Sequence, residues 1–134
     1  MKDRYTTLPH DGRIQVWDVE QLWQRAKGLP VQLVPVTSIT DYDTVCWYGT
    51  PANWGRLTCG EVVEHIQRIN TVTFDVPILL SAEGCVMDGF HRLAKAHLLG
   101  MTTIPAVQFP VTPEPDAIEM VPAWLSKLFE PISE

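Results

Sequence analysis

The sequence predicts one small domain of mixed α and β structure, and three observations lead there. Arg13–Trp17 and Val31–Val36 alternate apolar and polar or are β-branched, the pattern of strands with one face turned inward. Asp18 with Gln21, and Thr58 with Glu61, stand at the three-residue spacing of a capping box, each ahead of apolar residues at helical spacing. Finally, 134 residues with 46% hydrophobic and 19% charged side chains suffice for one core and are too few for two ordinary domains.

The elements follow in chain order. After the strand at Arg13–Trp17, Asp18 caps a helix whose Val19, Leu22, Trp23 and Ala26 share a face, and Gly28 with Pro30 stops it. Val31–Val36 forms the next strand. Thr58 opens a second helix, with Val62, Ile66 and Ile69 at i, i+4 and i+7 as its inward row. Val76–Ser81 is a short apolar strand, Ala82-Glu83-Gly84 a turn, and Cys85–Met87 the return. A third helix runs from Phe90 to Leu99, packed through Leu93, Ala94 and Leu98 and closed by Gly100. Thr103–Phe109 is the last strand, which Pro105 places at a sheet edge or a bulge.

Two stretches stand apart. Residues 40–57 lack periodicity yet carry Trp47, Tyr48 and Trp54, so they are read either as a loop folded onto the core or as a pocket wall that includes Asp41 and Asp43. From Pro110 the composition shifts: five of the 11 prolines follow, and five acidic residues against Lys127 leave this stretch −4 of the total −6. The division expected is a domain over 1–109 and a proline-rich acidic arm over 110–134. That arm ends in an amphipathic turn or two around Trp124, Leu125, Leu128 and Phe129, laid on the domain or on a partner.

The bulk chemistry narrows the partners. A net charge of −6 with ten scattered basic residues argues against nucleic acid, whose backbone calls for a basic face. No apolar run reaches the roughly 18 residues a membrane span needs. Met1–Tyr5 leads into no apolar stretch of the signal-peptide kind. Three cysteines without C-x-x-C spacing predict neither a disulfide framework nor a structural zinc site, and suit a reducing cytoplasm.

The segment with the most chemistry is Asp88-Gly89-Phe90-His91-Arg92, where a strand gives way to a helix. The leading N–H groups of a helix have no internal partner and point outward with the positive end of the dipole, which makes an anion site. Gly89 lets a ligand approach the backbone. His91 and Arg92 add donors, Arg as a planar fork matched to phosphate oxygens. Asp88 would repel a phosphate, and its roles stay open: helix cap, metal ligand, support for Arg92, or acceptor of a substrate proton. Lys95, three residues past Arg92, is a further candidate for a terminal phosphate. Glu64 and His65 lie mid-helix, one of them facing solvent, and are weaker candidates to extend the site.

Val86-Met87-Asp88-Gly89-Phe90-His91-Arg92-Leu93-Ala94-Lys95-Ala96, followed by Leu98-Leu99-Gly100 and Ile104-Pro105-Ala106-Val107, resembles the ParB/sulfiredoxin superfamily. That signature is a strand, a D-G-x-H-R or G-G-C-H-R turn, a helix ending in L-G, and a strand with I-P or V-P. The resemblance covers Val76–Phe109 and reaches weakly back to the Thr58–Ile69 helix and the Val31–Ile39 strand. It implies an α+β domain, a small mixed sheet with helices packed on it, in which Gly89, Phe90, His91 and Arg92 grip nucleotide phosphates. Sulfiredoxins carry Cys before His-Arg where this chain has Phe90, and partition proteins follow the domain with a DNA-reading helix-turn-helix that the acidic tail does not resemble. The Asp-Gly-x-His-Arg form is most similar to the small-molecule kinase branch, which keeps a catalytic carboxylate near the position of Asp41 and Asp43.

The function expected is therefore nucleotide phosphate binding, with a nucleoside di- or triphosphate and Mg²⁺ as ligand. Asp88 and His91 would act in a phosphotransferase or hydrolase working on a small molecule. The alternative is a nucleotide-sensing or adaptor module that signals to a protein partner through its tail; DNA binding or nuclease activity ranks third.

Overall fold

The computed structural model describes residues 3–47 and 56–130. Within them the domain is α+β, with two sheets rather than one. The four-stranded sheet contains β3 (Gln32–Pro35), β4 (Ile78–Leu80), β5 (Val86–Asp88) and β6 (Thr103–Gln108) in the order β3-β6-β4-β5. Its β4 and β6 run parallel and its other pairs antiparallel, so this sheet is mixed. The second sheet is antiparallel, with β2 (Arg13–Asp18) between β1 (Arg4–Thr6) and β7 (Ala117–Met120).

Capping explains where the helices begin. Asp18 accepts from Gln21 N–H and starts α1 (Val19–Arg25). The reciprocal Thr58–Glu61 box starts α2 (Cys59–Thr71). The helix α3 (Phe90–Leu98) follows β5 after a single residue, Gly89. It lays Leu93 and Ala96 on a core that holds Val36, Ile39, Ile78, Val86 and Ile104. Leu98, expected in that contact, is 73% exposed, because three residues along a helix from Leu93 the inward position falls to Ala96.

Two further expectations change, and the place of the tail becomes specific. The strand carrying Pro105 is interior, not an edge. Pro105 stands opposite Leu33 of β3, and pairing with β4 begins only at Ala106, so no neighbour on that side needs the missing N–H. On α2, Val62 and Ile66 are 41% and 50% exposed, and the half-buried row is Glu61, His65 and Ile69. The tail after Pro110, expected to lie on the domain or on a partner, lies on the domain. Its β7 pairs with β2, Trp17 Nε1 donates to Pro113 O (2.9 Å), and a short helix α4 (Ala123–Leu128) buries Leu125 fully and offers Ser126 Oγ to Gly12 N–H (2.9 Å).

The strand β1 had no periodic signal over its three residues. The Asp11-Gly12 pair does mark the hairpin that creates it. Both residues have positive φ (51° and 71°), the requirement of a two-residue primed turn, and His10 and Arg13 close it.

Candidate functional site

The end of β5, the start of α3, one side of α2, the loop at residues 41–47 and the chain around β1 enclose an open cleft of about 470 Å³. Its walls carry Asp41, Trp47, His65, Arg68, Cys85, Asp88, Gly89, Phe90 and His91. The sequence candidates Asp41, Trp47, Asp88, Gly89, Phe90 and His91 therefore meet in one place. Tyr48 lies outside the described residues. Asp43 is exposed and does not line the cleft.

Gly89 sets the geometry. It is the N-cap of α3 in the left-handed region (φ 115°, ψ 22°), with no side chain capping the helix. The first backbone bond of the helix runs from Leu93 N–H to Gly89 O (2.9 Å). The N–H groups of Phe90, His91 and Arg92 thus have no partner within the helix.

Asp88 is not the cap. Its Oδ2 accepts from Trp23 Nε1 (2.8 Å), which ties β5 to α1 and leaves the carboxylate on the cleft wall. Asp41 is likewise anchored, accepting Val86 N–H (2.8 Å). Removing the Trp23 acceptor in Asp88→Ala should cost about 1–3 kcal/mol, whereas Asp88→Asn retains an acceptor oxygen and should lose less than about 1 kcal/mol. Thermal melts of the two variants check this; equal melting of both beside the parent would mean that the bond contributes nothing.

A helical step of about 100° separates the two residues of the His-Arg pair. His91 faces the cleft, while Arg92 is not among its lining residues and its Nε is shielded from water with no hydrogen-bond partner among the described residues. Lys95 is also engaged elsewhere: its Nζ donates to Val72 O (2.7 Å) and Asn70 O (3.2 Å), closing the carbonyl end of α2. The cation that α2 brings to the cleft is Arg68, together with His65. In the sequence, His65 is only a weak candidate and Arg68 carries no role. The signal that finds them is the half-buried row from Glu61 to Ile69, since His65 lies on it and Arg68 stands one turn beyond His65.

His65 Nδ1 and His91 Nε2 are 2.8 Å apart, so one ring donates to the other. Trp47 stacks on both, at centroid distances of 4.2 Å from His65 and 4.9 Å from His91, and meets Phe90 edge-on at 6.5 Å. Burial, then Arg68, His65 and Arg92, pushes His91 down to about 4. Burial and Arg68 also lower His65, against the opposing pull of Glu61 and Glu64. At neutral pH the pair is uncharged and acts through hydrogen bonds.

The thiols nearby are poor nucleophiles. Burial, with Asp41 adding to it, raises Cys46 to about 11, and the same two causes raise Cys85. Among the described residues no group of three or more His, Cys, Asp or Glu side chains is placed to hold a metal ion. None of their helices is long and apolar enough to cross a membrane. Compared with protein-family models, with curated proteins and with solved structures, the chain matches none.

Proposed function

We propose that this cleft binds the phosphate end of a nucleotide or a similar phosphate-bearing small molecule, as the resemblance to the ParB/sulfiredoxin superfamily implies. The observation that carries the reading is the left-handed Gly89 cap, which leaves the first three N–H groups of α3 without helical partners beside a cleft of nucleotide size. Arg68 supplies the nearby positive charge in place of Arg92, His91 supplies a hydrogen bond, and Trp47 with Phe90 supplies apolar surface for a base or other ring. Mg²⁺ enters this reading as the partner of the ligand's phosphates.

Calorimetry with ADP and ATP, with and without Mg²⁺, tests it. Ligand at 100 times its Kd should stabilise the fold by about 2.7 kcal/mol. Arg68→Ala should weaken binding roughly tenfold, the lower end for a charge-assisted pair because Arg68 is solvent-exposed. Absence of binding at millimolar nucleotide, or binding indifferent to Arg68→Ala, would overturn the reading. A second reading, a sensor or adaptor that binds without turnover, is favoured by Trp124 and Leu128, which α4 turns outward while burying Leu125. Turnover of bound nucleotide would decide for a phosphotransferase or hydrolase, and a ligand-dependent change in association for the sensor.

A further inference from the structure

Two facing imidazoles at 2.8 Å form a unit with a limited capacity for protons. When the pair is neutral, one N–H bridges the facing nitrogens. A proton arriving at an outer nitrogen, Nδ1 of His91 or Nε2 of His65, can be passed on: the bridging N–H bond breaks at one ring as it forms on the other. The result is an N–H⁺···N bond in the same geometry. A second proton would set two N–H donors against each other and open the pair.

We propose that His65 and His91 act as one proton-sharing unit that takes up a single proton when an anion occupies the cleft, so that binding there is coupled to pH. The inference rests on the reading of the cleft as an anion site. His65 is the positioning residue of the unit, since its Nδ1 decides which proton His91 holds.

The surroundings support a switch. Arg68 on α2 and Arg92 on α3 oppose charge on His91, as burial does, and Arg68 opposes it on His65 as well. Glu61 and Glu64 on α2 favour charge on His65, and Asp41 and Asp88 line the same cleft. Trp47 lies nearly parallel to both rings (17° and 21°), and its face favours a cation over a neutral ring. The free pair is thus held neutral, and a nearby anion shifts the balance toward the protonated form.

The sign follows. The bound pair takes up its proton at a higher pH than the free pair. Affinity therefore rises as pH falls through that interval, by at most about tenfold per pH unit for one proton. It levels off once the free pair is protonated too, near the value of about 4 that His91 has without ligand.

Sulfate is the probe, because its own charge does not change across the range used. Its Kd should be about tenfold lower, or more, near pH 5.5 than near pH 8. Calorimetry in two buffers of different ionisation enthalpy should count close to one proton taken up per sulfate at about pH 6. In His65→Gln, checked for folding by circular dichroism, that uptake should fall below one half. Sulfate binding of equal strength at both pH values, or none, overturns the inference whether or not ADP binds. Failure of ADP alone at pH 8 overturns the nucleotide reading and leaves the proton coupling to the sulfate result.

Discussion

Gly89→Ala should lower the stability of the folded protein by about 3 kcal/mol or more, a fall in Tm of roughly 10 °C or more for a domain of this size. Two costs act together. A side chain at φ 115° sits in a region that L-residues rarely adopt. The added Cβ would also stand 2.5 Å from Ile78 Cγ2, 2.9 Å from its Cβ and 3.2 Å from its Cα. Ile78 is fully buried in the central part of the sheet, so neither its side chain nor its backbone has room to retreat. The substitution thus strikes the core and the cleft at once, since any shift that relieves the contact moves the first turn of α3. Chemical denaturation measures the loss. A variant as stable as the parent would show that β5 and α3 do not meet at this angle. A destabilised variant that still binds nucleotide with parental affinity would separate the packing role of Gly89 from any role in the site.

The legibility of this fold depended on how local each signal was. Asp18, Thr58 and Gly84 act through bonds or dihedrals within a few residues, and the elements they bound were readable from the chain alone. Rotation about a helix axis is not local. On α2, Val62, Ile66 and Ile69 read as one inward row, yet only Ile69 of the three is half-buried, beside Glu61 and His65, and His65 reaches His91 of α3. That rotation also decides the site, because it delivers His65 and Arg68 to the cleft. Arg92 and Lys95, legible as cations beside a phosphate-binding turn, point elsewhere for the same reason: three residues of a helix cannot all face one cleft. Asp88 was readable as a functional candidate but not as the acceptor of Trp23, a bond spanning 65 residues of sequence.

The tail leads to the other large effect. A chain ending at Phe109 should fail to fold cooperatively at the temperature where the full chain is native. Composition marks an acidic, proline-rich arm laid on the domain or on a partner. Its packing ties it to the second sheet. Without β7 the second sheet falls to the β1–β2 hairpin, and two strands alone are marginal in water. Ile14 and Trp17, both nearly fully buried, lie on that hairpin. Trp17 Nε1 would lose Pro113 O as its acceptor, Gly12 N–H would lose Ser126 Oγ, and Arg4 would lose Glu119 Oε1 at 2.7 Å. The loss of Leu125 alone can be tested more gently: Leu125→Ala should cost about 2–5 kcal/mol, as for other fully buried leucines. Circular dichroism melts of the truncated chain and of Leu125→Ala beside the full chain measure both effects. A truncated chain melting within about 3 °C of the parent would show that the fold does not need the arm. A broad or absent transition in the truncated chain, with a shifted but sharp one in Leu125→Ala, would place β7 and α4 within the cooperative unit that holds β1 against the cleft.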